Sequence, residues 1–157
     1  MSQFNSFFIA TGSNLGDRLL NLKEAKSHLE KHFSLISESR VYESAAVDYV
    51  DQPNFYNQAL EFELTSDNPE TVMALLLSIE KIMGRNRIIP KGPRLIDIDI
   101  LFWGLERIQT PNLEIPHPRL FDRSFVVLPL SELPGFKILK AHFNFNYSFD
   151  NHAIALS

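Results

Sequence analysis

The chain has 157 residues, 45% of them apolar and 22% charged, which is one domain's worth of ordinary globular sequence and excludes extensive disorder. Lys and Arg total 15 against 19 Asp and Glu, and a formal charge of −4 argues against a general binder of nucleic acid or anionic membrane. With no Cys, disulfide scaffolds, thiolate zinc sites and cysteine nucleophiles are excluded, and no apolar run reaches the roughly 18–20 residues of a bilayer span.

Phe4 to Ala10 is short, apolar and rich in Phe, as a buried strand requires. TGSNLGD follows and reads as a tight strand-to-helix turn, with Ser13 or Asn14 capping a helix whose stripe is Leu15, Leu19, Leu22, Ala25 and Leu29. Leu35 to Tyr42 is a second strand. After the irregular ESAAVDYVDQPN, Phe55 to Leu64 alternates as a third. The second helix is punctuated at both ends: Asn68 caps it, Pro69 takes its first position and Gly84 stops it. A Gly- and Pro-containing loop, Arg85 to Arg94, leads into a fourth strand, Leu95 to Trp103. Pro111, Pro116 and Pro118 break up the next stretch. Phe121 to Leu133 suits a helix interrupted by Pro129, and Phe143, Phe145, Tyr147 and Phe149 alternate with polar residues as in an edge strand.

This order, β-α-β-β-α-β with an extra C-terminal helix and edge strand, predicts an α+β split βαβ sandwich: an antiparallel sheet with helices on one face. No repeat or linker is visible, so residues 1–157 read as a single domain with an unassigned tail from Ala141. The N-terminus lacks the basic segment of a signal peptide, and a cytoplasmic location is the expectation.

The segment RNRIIPKGPRLIDIDILFWG carries the chemistry. Aspartate is depleted in strands, yet Asp97 and Asp99 stand in the fourth one. Side chains alternate, so the two carboxylates project from one face roughly 7 Å apart, with Ile96, Ile98, Ile100 and Phe102 on the other. Such a pair seats a hard divalent cation such as Mg²⁺; it could equally face solvent on an amphipathic strand. Arg85, Arg87, Lys91 and Arg94 put four cations and no acid just before it. Carboxylates for a metal beside guanidinium groups for phosphate oxygens is what a Mg²⁺–polyphosphate site needs; a loop neutralised by its own aspartates is the plain alternative. There is no P-loop and no dinucleotide fingerprint.

GPRLIDIDIL closely resembles the signature of the 6-hydroxymethyl-7,8-dihydropterin pyrophosphokinases of folate biosynthesis. TGSNLGDR, VYES, DQPNFYNQAL and IPHPRLFDRSFVVLPL match in the same order, covering about residues 9–130. The resemblance implies a ferredoxin-like fold and a Mg²⁺-dependent transfer of pyrophosphate from ATP to the pterin hydroxymethyl group, releasing AMP. It implies that Asp97 and Asp99 hold two Mg²⁺ ions and that Arg85 and Arg94 act on the phosphates during transfer. Glu80, Arg87, Ile100, His117 and Arg123 match ATP-side positions, Ile100 through its backbone. Phe55 and Phe125 match the aromatics that stack on the pterin, Asn57 the amide that reads its edge, and Ser44 and Val47 backbone contacts. Small-molecule substrates only, with neither nucleic acid nor membrane, and a monomer are the expectations. Pro90 and Lys91 stand where relatives carry a basic residue and then an aromatic. A nucleotide- or RNA-binding module and a metal-dependent phosphohydrolase are the competing readings.

Overall fold

The computed structural model describes residues 4–46, 51–84 and 94–157. Strand β1 (Ser6–Ser13) leads to helix α1 (Arg18–Glu30), then β2 (Leu35–Glu38), β3 (Tyr42–Ser44) and β4 (Phe55–Glu63). Helix α2 (Pro69–Ile82), β5 (Asp97–Trp103) and the hairpin β6 (Ile108–Thr110) and β7 (Leu113–Ile115) come next. A 3-10 turn at Pro118–Asp122, helices α3 (Ser124–Leu130) and α4 (Phe136–His142) and strand β8 (Ala153–Ala155) complete the chain. The main sheet runs β5-β1-β4-β3-β8, with β2 pairing β4 beside β3, and all its pairs are antiparallel.

Helix α2 forms as its punctuation predicts. The Asn68 side chain accepts the Thr71 N–H at 2.8 Å, Pro69 opens the helix, and Gly84 sits at φ +89°, where a side chain would be strained. Helix α1 differs. Its cap is Asp17, which accepts the Leu20 N–H, because β1 runs on through Thr11, Gly12 and Ser13 and leaves the turn to Gly16 at φ +73°. Starting later rotates the stripe: Leu22, Ala25 and Leu29 are buried, whereas Leu15 and Leu19 are about half exposed.

Helices cover both faces of the sheet, not one. Helices α1 and α2 enclose Phe7, Ile9, Leu60, Phe62, Ile96, Ile98 and Ile100. On the opposite face α3 and α4 pack on Phe8, Ala59, Leu101 and Phe102, joined by Phe143 and Phe145. Phe102 therefore lies opposite Ile96, Ile98 and Ile100 rather than beside them. A β-bulge explains the reversal: Phe8 pairs with Phe102 but Ile9 with Ile100, so Leu101 is an extra residue and alternation inverts there.

Two further expectations are corrected. The strand read over Leu35 to Tyr42 splits at Ser39, whose hydroxyl accepts the Ala59 N–H and so breaks the regular ladder. The alternating Phe143 to Phe149 is not a strand: Phe143 and Phe145 point inward against Phe102 and Phe121, and the edge strand is β8.

The second layer is locked by Glu61, a buried acid that accepts the Ser6 hydroxyl at 2.7 Å and the Gly135 N–H at 2.9 Å. A Cβ at Gly135 would meet Glu61 Oε2 and Phe8 Cζ at 2.7 Å each. Gly135→Ala is expected to destabilise by about 1–3 kcal/mol in urea titrations. The chain's end is held by Arg40, which donates to Glu132 and to the Ser157 carbonyl oxygen. At Glu132 burial opposes the charge, but donation from the Tyr42 hydroxyl and from Arg40 outweighs it and holds the carboxyl below its ordinary 4.5. Because the folded value is the lower one, this stabilisation is complete above 4.5 and disappears as pH falls through the depressed value. Glu132→Gln should therefore flatten that part of the acid limb in a series of urea titrations below pH 4.5.

Candidate active site

Sheet register lays the site out in rows. On the α3 face Asp97 of β5 pairs with Gly12 of β1, Gly12 with Asn57 of β4, and Asn57 with Tyr42 of β3. In the next rows Asp99 pairs with Ala10 and Ala10 with Ala59, while Phe55 pairs with Ser44. The strand between the acids and the aromatic–amide pair thus presents only Gly12 and Ala10. A Cβ on Gly12 would come within 3.3 Å of Asn57 Oδ1 and 3.7 Å of the Phe55 ring, so the bare glycine keeps this floor open. Asn57 donates an N–H to the Ser44 hydroxyl at 2.8 Å, which fixes how its amide is turned.

Arg94 enters from the start of β5. Its guanidinium lies 3.2 Å from an Asp97 carboxylate oxygen and 5.7 Å from the centre of the Phe55 ring, so one cation links the acidic and aromatic parts of the floor. Its backbone is clamped by Asn14: the Asn14 N–H donates to the Arg94 carbonyl at 3.0 Å, and Asn14 Oδ1 accepts the Arg94 N–H at 2.7 Å. The same Asn14 amide donates to Gln52 Oε1 and to the Pro53 carbonyl. The TGSN part of the TGSNLG stretch is thus a buried junction of three chain segments, more than a turn.

The opposite wall comes from the β6–β7 hairpin, the 3-10 turn and α3. His117 caps the 3-10 turn, its Nδ1 accepting the Arg119 N–H at 3.2 Å. Arg123 lies 5.8 Å from the centre of the Phe125 ring. Between floor and wall is a cleft of about 930 Å³. Ser44, Phe55, Asn57, Arg94, Asp97, Asp99, Ile100, His117, Arg123 and Phe125 all line it. The Ile100 side chain is buried beneath α1 and α2, which leaves its backbone for the cleft.

Glu80 does not line the cleft. It is buried on α2 and accepts the Ile98 N–H at 2.7 Å, sealing the outer edge of β5. Arg85, Arg87 and Val47, and the unusual Pro90 and Lys91, lie outside the described residues. Residues missed from the sequence also line the cleft, among them Arg119, Glu114, Met73 and Leu77. Arg119 carried a signal, a cation between His117 and Arg123. So did Met73 and Leu77, an apolar i, i+4 pair beside the buried stripe of Val72, Leu76 and Ile79.

Among the described residues no group of three or more His, Asp or Glu could hold a metal ion. Asp97 and Asp99 instead offer carboxylates from one side of an open cleft, an arrangement suited to a hard cation that keeps waters and takes further oxygens from a ligand. No helix among these residues is long and apolar enough to cross a membrane.

Residues 8–135 match the family described as 7,8-dihydro-6-hydroxymethylpterin-pyrophosphokinase. The 2-amino-4-hydroxy-6-hydroxymethyldihydropteridine pyrophosphokinase of Bacillus subtilis is 42% identical over 131 residues, covering 82% of this chain and 78% of that protein. The mitochondrial folate synthesis bifunctional protein of Pisum sativum is 39% identical over 157 residues, covering 99% of this chain but only 30% of its own length. Wild-type Plasmodium falciparum HPPK-DHPS with pteroate has the same fold at 17% identity, with a TM-score of 0.61 over 81% of this chain and 38% of that one. The chain thus spans most of the bacterial relative and less than half of these longer proteins. The family match takes in β1, β4, β5 and α3, the very elements that line the cleft, and with it the chain belongs to the 7,8-dihydro-6-hydroxymethylpterin pyrophosphokinases, enzymes of folate synthesis.

Proposed function

We propose that the cleft transfers pyrophosphate from ATP to the hydroxymethyl oxygen of 6-hydroxymethyl-7,8-dihydropterin, releasing AMP. One observation carries this reading: Asp97 and Asp99 share an open cleft with Phe55, Asn57 and Phe125, separated only by Gly12 and Ala10. One end suits a charged polyphosphate and the other a flat, hydrogen-bonding bicycle. Phe55 and Phe125 supply apolar faces, and the Asn57 amide, oriented by Ser44, reads the ring edge. Arg94 and Arg123 bind phosphate oxygens in forked pairs, and His117 and Arg119 extend that polar wall.

The hydroxymethyl oxygen attacks the β-phosphorus in line, the bond from that phosphorus to the α,β-bridging oxygen breaks, and AMP leaves with the bridging oxygen. Holding the two substrates in this alignment is the residues' main contribution. Asp97 and Asp99 are the residues that would hold Mg²⁺, which when bound offsets phosphate charge and favours ionisation of the hydroxyl. Arg94 then has two partners to balance, Asp97 and phosphate, and Glu80 serves by holding β5 in place.

The sheet order β5-β1-β4 followed by β2 and β3, with α1 and α2 on one face, supports a ferredoxin-like core. The return of β8 to pair with β3 supports reading residues 1–157 as one domain.

Incubation with ATP and Mg²⁺, with and without 6-hydroxymethyl-7,8-dihydropterin, tests the reaction. AMP release that requires the pterin is expected, and EDTA should abolish it. Pterin-independent phosphate release would instead mark a phosphohydrolase, and no turnover a binding module. Asp99→Asn is expected to lower kcat by at least about a hundredfold while the fold, followed by circular dichroism, is retained. Gly12→Ala should raise the KM for the pterin by about three- to tenfold and leave that for ATP unchanged, since the nearest neighbours of the added methyl, Asn57, Phe55 and the Tyr56 carbonyl, all belong to β4 on the aromatic–amide side.

A further inference from the structure

The C-terminal tail lies beyond the residues that match the family, yet it reaches back to the wall of the cleft. Asn151 is the point of contact. Its Oδ1 accepts the Ser124 N–H at 2.8 Å and the Ser124 hydroxyl at 2.5 Å, and its Nδ2 donates to the Asp122 carbonyl at 2.8 Å. Asn146 adds a bond to the Asp122 carboxylate at 2.5 Å. The residue enclosed by these bonds is Arg123, and the one after Ser124 is Phe125. Both line the cleft, and Arg123 lies over the Phe125 ring.

This turn needs an outside support. Helix α3 begins at Ser124, and its cap residue Arg123 makes no side-chain cap bond. The first backbone N–H of the helix would otherwise lack a protein acceptor, and Asn151 provides it from 27 residues away in sequence. The tail is itself fixed on either side of Asn151. Phe143 and Phe145 pack against Phe102 and Phe121, and β8 pairs with β3, setting Ala153 opposite Ser44. The tail therefore joins the α3 wall, which carries Phe125, to the β3 floor, which carries Ser44.

We propose that Asn151 is a positioning residue for substrate binding: it sets the Asp122–Ser124 turn and, through it, the placement of Phe125 and Arg123. The proposal rests on the reading of the cleft given above. It predicts that the tail, though it contributes no group to the cleft, controls how tightly the pterin is held.

The test compares steady-state kinetics and direct pterin binding, followed by fluorescence, for the full-length chain and its variants. Asn151→Ala should raise the pterin KM and the dissociation constant about tenfold with kcat changed less than about threefold. Leu29→Val, a core substitution beneath the other face of the sheet, should lower the melting temperature with KM unaltered. A double-mutant cycle decides the route. If Asn151 acts through Phe125, then Asn151→Ala adds little to the loss already caused by Phe125→Ala. Fully additive losses, or an unchanged KM in Asn151→Ala, would overturn the proposal while leaving the reaction intact. If Asn151→Ala does not fold, Asn151→Asp keeps the acceptor for Ser124 and loses the bonds its amide donates to the Asp122 carbonyl and the Asp150 carboxylate; its pterin KM should rise about threefold, and an unaltered value would again overturn the proposal. Failure of the wild-type chain to form AMP in the presence of pterin would refute the underlying reaction, a separate result.

Discussion

The reciprocal pair of bonds between Asn14 and Arg94 is the constraint from which the site follows. Asn14 lies two residues past Gly12 and Arg94 three residues before Asp97, the last paired positions of β1 and β5, so their bonds tie the two strands together beyond the regular end of the ladder. Asn14 is only 1% exposed, and its side chain makes three hydrogen bonds, to Arg94, Gln52 and Pro53. A buried amide satisfied in this way tolerates a single arrangement of its neighbours. It therefore fixes in one stroke where Arg94 enters, where Asp97 begins its strand, and how the chain approaches Phe55. Apolar packing favours this register too, and the amide adds directional bonds that are lost on a small slide.

Around that junction the sheet divides its labour by face and by end. The α1/α2 face carries the larger apolar cluster and supplies much of the burial. The other face is apolar where α3, α4 and the tail cover it, around Phe8, Ala59 and Phe102. Toward Gly12 it opens, and polar side chains replace the aromatic cluster. The arrangement lets carboxylates stand on a central part of the fold without burial: Asp99 is exposed and Asp97 half-buried, although both neighbour a strand that is almost wholly buried.

Much of this was legible in the sequence wherever a residue's role is local. Asn68, Pro69 and Gly84 bounded α2 because caps and breakers act within a turn of themselves. Asp97 and Asp99 were legible because acids are conspicuous in a strand. The rest depended on partners far away in the chain. Ser13 and Asn14 look like caps for α1, and only their burial between β1, the 52–53 segment and Arg94 makes them something else. Glu80 looks like one more exposed acid on a helix until β5 brings the Ile98 N–H to it. The hairpin β6–β7 was hidden by Pro111, which occupies its tip and not a strand. The tail's alternation suggested an edge strand over Phe143 to Phe149 where the strand is β8, and the acceptor role of Asn151 stayed hidden because it is defined by a helix start that the local sequence does not reveal.

The extra residue at Leu101 gives the fourth strand of the core a seam. On one side of it the odd-numbered positions Asp97 and Asp99 look into the cleft; on the other, odd-numbered Trp103 looks into the core beneath α1 and α2. The strand is therefore two half-strands read in opposite phase. Chain-length variation of one residue is harmless in most surface loops, but here it would work like a frameshift of facing, forcing either two carboxylates into oil or an indole out of the layer it fills. The spacing between the acidic motif and the Phe102–Trp103 pair is thus set by geometry, independently of which side chains fill it.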